Sequence, residues 1–152
     1  LASAFETVAM ATVSSSGHHA RELGYLPAHA LIVMNTDRRL HVAKEEVLRL
    51  SRQGYAPPPA RLAIKVLGRP GAAQLEMTTY NLLQSRNITE YEHHLGGRLA
   101  YVMCGGDLSA PALVGEDYLL DLEREVFLSL LGQEKTQERI ASILESNRPL
   151  RN

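Results

Sequence analysis

The final stretch of the chain, residues 116–152, carries the strongest helical pattern in the sequence. Apolar side chains recur at spacings of three and four, which is the repeat of one face of an α-helix. The apolar stripe and the residues that widen it are Leu119, Leu120, Leu122, Val126, Phe127, Leu130 and Leu131. An apolar arc of this width predicts a helix over residues 116–131 that is covered on more than one side.

A second helix is predicted over residues 134–145. Gly132 lies between the two helices and suits a left-handed C-terminal cap. Asn147 and Pro149 end the second helix, because the residue before a proline is biased away from helical backbone. The residues that this helix is expected to bury are Ile140, Ile143 and Leu144. The two helices form an αα-hairpin that must pack on other structure.

The rest of the chain is also predicted to be mainly helical. Ser16 suits the N-cap of a short helix, and Thr89 with Glu92 forms a capping box. The predicted helices cover residues 1–11, 18–23, 37–53, 72–85 and 89–103. One short extended segment is predicted over residues 62–67. The predicted fold is therefore mainly α, a bundle of about six helices with at most one short extended segment, ending in the αα-hairpin.

Glycine, proline and charge patterns refine this prediction. The run Pro57, Pro58 and Pro59 favours an extended connection and is the best internal boundary. Gly68, Pro70 and Gly71 are read as a turn. Gly96 and Gly97 lie inside a predicted helix, where they indicate either close contact between helices or a break. Glu45 and Arg49 are spaced to form an ion pair on the helix over residues 37–53.

Composition limits the classes of function. At 152 residues the chain has the length of one domain, and its net charge of -1 with interspersed signs disfavours a dedicated nucleic-acid binder. No run reaches the roughly 18 apolar residues that a membrane span needs, and no signal peptide is visible. The single cysteine, Cys104, follows an apolar run and is predicted to be a buried thiol; the absence of an internal disulfide favours a cytoplasmic location. The opening at Leu1 resembles the middle of a helix, so we expect a piece of a longer protein.

No known catalytic motif is present in the sequence. The acidic residues of the final helices could act as general acids or bases, but a solvated helix face explains them better; they are Asp117, Asp121, Glu123 and Glu125. The histidine pairs His18-His19 and His93-His94 are poorly arranged for chelation, because neighbours on a helix point about 100° apart. Glu90 and His94 could share a face, but two ligands are too few for a closed metal site. We therefore predict no catalytic residue and no metal site in this chain.

The tyrosines Tyr80, Tyr91 and Tyr101 are expected to be core or rim aromatics.

Two parts of the sequence resemble a known family. Residues 5–16, 20–26, 33–38 and 43–44 resemble a late segment of the enoyl-CoA hydratase (crotonase) module, in the form found in bacterial bifunctional 3-hydroxyacyl-CoA dehydrogenase/enoyl-CoA hydratases of fatty-acid β-oxidation. The endings Leu119–Glu125, Lys135–Ile140 and Arg148–Asn152 are similar to the C-terminus of the same enzymes. Residues 55–115 match only that subfamily. Gly17 departs from the alanine that relatives tend to have there.

This resemblance implies that the chain is a C-terminal helical region without the catalytic groups of the parent enzyme. It implies residues 1–54 as the end of the crotonase-like module, 55–115 as a subfamily-specific insert and 116–152 as the closing hairpin, together in one compact unit. NAD and a CoA thioester would belong to the parent enzyme, and no cofactor is expected on this segment. The partners expected are the upstream part of that enzyme and a second copy in a homo-oligomer.

Arg148 is the one binding residue that the resemblance implies. In related hydratases a basic residue near this ending approaches the phosphates of CoA, and Arg148 has that position. Lys135 is a weaker candidate for the same role. An alternative without catalysis is a stand-alone helical module that dimerises through the broad apolar faces of residues 116–131.

Overall fold

A computed structural model describes all 152 residues, and the chain forms seven α-helices and one small sheet. The helices are α1 (Ala2–Ala9), α2 (Gly17–Glu22), α3 (Arg39–Arg52), α4 (Gly68–Gln84), α5 (Glu90–Met103), α6 (Glu116–Leu131) and α7 (Glu134–Ser146), with a short 3-10 helix at Thr36–Arg38. The strands are β1 (Ile64–Val66) and β2 (Ala112–Val114). The predicted mainly α fold is confirmed, with seven helices instead of about six. None of these helices is both long and apolar enough to cross a membrane.

The contacts divide the chain into two units. One consists of Leu1–Ala9 with Ala60–Asn152, and the other is Met10–Pro59. The second boundary lies at the end of the proline run that the sequence marked as an internal boundary. The predicted division into 1–54, 55–115 and 116–152 concerns evolutionary origin and stays a prediction.

Helices α4 and α5 pack against each other and form the centre of the larger unit. Its core consists of Phe5, Ala72, Leu75, Ala100 and Cys104. Cys104 is fully buried, as predicted, and this burial raises the pKa of its thiol because the thiolate would lose its hydration. Phe5 of α1 contributes the only large aromatic ring to this core, so the first helix is anchored on α5.

The small sheet pairs β1 with β2 in antiparallel register, with Ile64 opposite Val114 and Val66 opposite Ala112. The extended segment predicted over residues 62–67 is confirmed by β1. Strand β2 was not predicted, because three residues are too few to show a period and the strand depends on a partner far away in sequence.

Helix α4 begins earlier than predicted. Gly68, Pro70 and Gly71 were read as a turn, but they form its first turn. Proline is tolerated there because the first N–H groups of a helix have no partner within it. Gly68 has a φ of +64°, and a Cβ at this position would lie 2.5 Å from the carbonyl oxygen of Leu108, so only glycine fits.

The closing hairpin is confirmed, but its surroundings differ from the prediction. In α6, Val126 is buried, whereas Leu120 and Phe127 are exposed, so the chain covers one side of this helix only. Gly132 was predicted to be left-handed, which is wrong: its φ is -72°. Gly132 is right-handed, and Gln133 is extended and donates its N–H to the Leu130 carbonyl before α7 begins. A left-handed C-terminal cap lies instead at the end of α7, at Asn147, with a φ of 53°.

The face that α7 buries is rotated by about a quarter turn from the predicted one. Ile140, Ile143 and Leu144 were expected inside, but they are 40%, 50% and 80% exposed. The half-buried residues of α7 are Thr136, Arg139 and Ser142. Polar side chains and the last residues of the chain satisfy this inner face, as described below.

The N-cap predictions at Ser16 and Thr89 are confirmed, and one predicted ion pair is corrected. The Ser16 hydroxyl accepts the His19 N–H, and the capping box of Thr89 and Glu92 is complete. Arg49 does not pair with Glu45; it pairs with Glu46, one turn away at a spacing of three. Both spacings are close neighbours on a helix, so sequence alone does not choose between them.

The two adjacent glycines of α5 provide a test of the packing between α4 and α5. A Cβ at Gly96 would lie 2.7 Å from Thr79 Cγ2, whereas one at Gly97 would lie 3.6 Å from its nearest neighbour, Glu76 Oε1. We expect Gly96→Ala to lower the free energy of unfolding by about 1–3 kcal/mol through overpacking. Gly97→Ala is the control and should raise it by up to about 1 kcal/mol through helix propensity. Urea unfolding followed by circular dichroism measures both; equal effects of the two variants would contradict the close contact.

Candidate functional site

The densest polar cluster of the chain surrounds the Glu92 carboxylate, near the start of α5. Arg151 donates from Nε to Oε1 at 2.9 Å and from Nη2 to Oε2 at 2.7 Å, which forms a two-point contact between a guanidinium and a carboxylate. The Thr89 backbone N–H donates to Oε2 at 2.8 Å. Arg139 Nη2 lies 3.9 Å from Oε1. One carboxylate therefore joins the capping of α5 to α7 and to the end of the chain.

The surroundings of Glu92 favour its charged form. The hydrogen bond from Arg151 lowers the pKa of Glu92 most, and the Thr89 N–H and the charge of Arg139 act in the same direction. Partial burial opposes them by raising the pKa, but the net pKa is below its ordinary value. The same pair raises the pKa of Arg151. The pair is therefore fully charged at neutral pH.

Asn152 completes the cluster on the side of α7. Its Oδ1 accepts from Arg139 Nε at 2.7 Å. Its Nδ2 donates to the Lys135 carbonyl at 3.1 Å and to Glu138 Oε2 at 2.6 Å. Its own carbonyl accepts from the Thr89 hydroxyl at 3.0 Å. Every polar atom of the Asn152 side chain thus has a partner, and we call these residues, Thr89, Glu92, Arg139, Arg151 and Asn152, the Glu92 cluster.

Tyr91 lies beside this cluster and joins α5 to α7. The ring is buried and stacks on His94, with 5.7 Å between the ring centroids. Arg139 Cζ lies 5.3 Å and Lys135 Nζ 5.6 Å from the centroid of the Tyr91 ring, which are distances of cation–π contacts. The Tyr91 hydroxyl bonds to the Thr136 hydroxyl. Tyr91 was predicted to be a core or rim aromatic, and its ring is buried.

Arg148, the predicted binding residue, is exposed and lies outside the Glu92 cluster. The Ser142 hydroxyl donates to its carbonyl oxygen at 2.9 Å and fixes its backbone beside α7. Its side chain forms no hydrogen bond and no ion pair with other residues of the chain. The Arg148 guanidinium is therefore free to bind an external anion. Lys135, the weaker candidate, places its ammonium over Tyr91.

The other candidate groups lie apart from one another. His93 Nδ1 is 2.8 Å from the hydroxyl of buried Thr79, and no three potential metal ligands are grouped anywhere in the chain. Asp121 of the acidic face pairs with Arg124 at 2.8 Å in solvent. A surface depression of about 540 Å³ in the Met10–Pro59 unit is lined partly by Arg49, whose guanidinium already binds Glu46 and Gln53. The Thr79 hydroxyl beside His93 is buried and already donates to the Glu76 carbonyl at 2.9 Å, so it lies inside the packing of α4 and α5.

Sequence reasoning missed the Glu92 cluster. The capping box identified Thr89 and Glu92, but Arg151 lies 59 residues after Glu92, and no local pattern connects them. The one available signal was the density of polar residues in the ending Arg148–Asn152, which was assigned to an external ligand at Arg148.

Replacing Glu92 tests whether the cluster stabilises the fold. Glu92→Gln removes the charge that Arg151 and Arg139 face, and we expect a loss of about 1–2 kcal/mol in the free energy of unfolding. Asp121→Asn is a matched control, because its pair with Arg124 is well exposed and such pairs contribute little. Denaturant unfolding of the two variants provides the comparison; a Glu92→Gln variant as stable as the control would contradict the role of the cluster.

The lowered pKa of Glu92 also predicts a pH dependence. The carboxylate is favoured in the folded state, so its contribution is complete above the ordinary pKa near 4.5 and is lost as the pH falls through the lower folded pKa. The difference in unfolding free energy between the wild type and Glu92→Gln should therefore be constant near neutral pH and shrink in acid. Unfolding curves over that range measure it; a difference that grows in acid would contradict the predicted sign.

Comparison with known proteins identifies one relevant relative. The chain is 40% identical over 148 residues to a protein of Bacillus subtilis (strain 168) named probable 3-hydroxyacyl-CoA dehydrogenase. The match covers 97% of this chain and 19% of the relative, so the chain spans about a fifth of that protein's length. No family model matches the chain. No solved structure matches it either. The chain is therefore similar to one part of a protein named probable 3-hydroxyacyl-CoA dehydrogenase.

Proposed function

We propose that this chain acts as the C-terminal helical region of a longer fatty-acid β-oxidation enzyme, a 3-hydroxyacyl-CoA dehydrogenase/enoyl-CoA hydratase. The similarity of nearly the whole chain to a fifth of a probable 3-hydroxyacyl-CoA dehydrogenase carries this proposal. In it, the chain contributes packing, closure of the acyl-CoA pocket or subunit contacts. The catalytic groups and the NAD site belong to other parts of the enzyme, which is expected to be cytoplasmic.

The distribution of apolar side chains supports a packing role. Within Met10–Pro59 only Ala20 is buried, whereas large apolar residues such as Met34, Leu40 and Val47 are well exposed. Burial of apolar surface is the main term that offsets the conformational entropy of an ordered chain. A unit with one buried residue has little of this term by itself, so cover from other parts of the enzyme would supply it.

Arg148 supports the proposed contact with CoA. Its guanidinium is unpaired and exposed, and its backbone is held by the Ser142 hydroxyl. An arginine fork suits phosphate groups because it can donate two parallel hydrogen bonds. In the proposed enzyme, Arg148 binds a phosphate of the CoA portion of the substrate and takes no part in the chemical step.

This role predicts a selective effect of Arg148→Gln in the full-length enzyme. We expect KM for a CoA thioester to rise by about tenfold with little change in kcat, because a lost contact to a remote phosphate weakens ground-state and transition-state binding alike. The variant should also discriminate less between a CoA thioester and its 3′-dephospho analogue. Arg52→Gln, another exposed arginine without an ion pair, is the control. An unchanged KM for Arg148→Gln would contradict the contact.

The exposed residues of α6 favour one alternative. Leu120, Phe127 and Leu128 point outward and could pair two copies of a stand-alone helical module.

The first proposal predicts that the 152-residue chain does not hydrate crotonyl-CoA, whereas the full-length enzyme does. Robust turnover by the chain alone would contradict it. A natural gene that encodes only this stretch, with a dimer seen by light scattering, would favour the alternative.

A further inference from the structure

Helix α7 exposes its apolar face and directs polar residues inward. Its outward residues Ile140, Ile143 and Leu144, which we call the α7 ridge, are 40%, 50% and 80% exposed. An amphipathic surface helix normally places such a stripe against the core. The ridge is therefore an apolar surface that the 152 residues do not cover.

The polar face of α7 is occupied by residues 147–152, which we call the tail. Asn147, in left-handed conformation, redirects the chain, and the Ser142 hydroxyl binds the carbonyl of Arg148. Asn152 then binds Arg139, Glu138 and the Lys135 carbonyl. Contacts over about two helical turns of α7, from Lys135 to Ser142, thus hold the tail, and Arg151 also binds the tail to Glu92 of α5.

These contacts fix the rotation of α7 about its own axis. If the helix rolled to bury the ridge, Arg139 would leave Asn152, and Ser142 would leave the Arg148 carbonyl. The polar groups left behind would lose their partners in a partly buried site, which is costly. Cover for the ridge must therefore be brought to it from outside.

We propose that the tail holds α7 so that the ridge docks on the remaining part of the same longer enzyme. This proposal rests on the proposed function. The relative has about four-fifths of its length outside the matched region, since the match covers 19% of it. A covalently linked surface is present at an effective concentration on the order of millimolar, which favours it over a second molecule.

Cysteine labelling tests the ridge directly. Leu144→Cys places a thiol at an 80% exposed position, and Leu62→Cys is the matched control at 82%. The native Cys104 is fully buried and should stay unreactive in the folded chain. Maleimide labelling, read by peptide mass spectrometry, is compared between the 152-residue chain and the full-length enzyme. We expect Leu144→Cys to react at least roughly tenfold more slowly in the full-length enzyme, and Leu62→Cys to change much less.

A second arm tests the role of the tail. Asn152→Ala removes the contacts with Glu138, Arg139 and the Lys135 carbonyl without touching the ridge. In the full-length enzyme it should restore most of the labelling of Leu144→Cys and leave that of Leu62→Cys unchanged. Unfolding curves of the 152-residue chain confirm that each variant is folded before labelling is compared.

Several results would overturn the inference. These are equal labelling of Leu144→Cys in both proteins, equal slowing at both positions, or no effect of Asn152→Ala. Protection of Leu144→Cys that appears in the 152-residue chain as its concentration rises would assign the ridge to a second copy and also overturn it. An active full-length enzyme with an unprotected Leu144→Cys would reject the ridge alone, whereas catalysis by the 152-residue chain would reject the proposed function.

Discussion

The ion pair between Glu92 and Arg151 is the interaction on which the closing part of the structure depends. Glu92 already has a local role as the capping residue that binds the Thr89 N–H. The same carboxylate then binds the guanidinium of Arg151 at two points, and the charge of Arg139 lies close by. Because one group serves the helix start and the chain end, the N-terminus of α5 fixes the path of the tail. The path of the tail in turn decides which face of α7 is turned inward.

A polar attachment of this kind has different physical consequences from an apolar one. Hydrogen bonds depend on direction, so they fix the rotation of α7 about its own axis better than an apolar contact would. Their net contribution to stability is modest, because the same groups would be hydrated in the unfolded chain. Burial of Ile140, Ile143 and Leu144 would stabilise the fold more, but these side chains are exposed within the 152 residues. The chain thus fixes the orientation of α7 before its apolar surface is covered.

Most features that depend on residues close together in sequence were predicted correctly, whereas most features that depend on distant residues were not. Signals within one helical turn predicted the Ser16 cap, the capping box of α5 and the helical period of α6 and α7. Gly96 and Gly97 indicated either close contact between helices or a break in the helix. The close approach of Thr79 to Gly96 shows that close contact is correct at Gly96. The face of α7 was predicted wrongly, because periodicity identifies the apolar side of a helix but not what covers that side. The predicted backbone conformation of Gly132 was wrong for a related reason, because the conformation of a linker depends on the position of the next helix.

The candidate site shows the same limit. Arg148 and Arg151 are three residues apart in one polar ending, and nothing in the local pattern separates their roles. The structure shows that their roles differ. Arg151 binds Glu92, 59 residues away in sequence, whereas the Arg148 side chain has no partner in the chain. An unpaired guanidinium on a fixed backbone and an apolar ridge on a fixed helix therefore lie on the same hairpin and tail. Both are groups whose partners would have to come from outside these 152 residues, and the tail that holds one also orients the other. If the rest of a longer enzyme docks on the ridge, the same docking would fix the surface from which Arg148 extends, so packing and ligand binding would be coupled through residues 147–152.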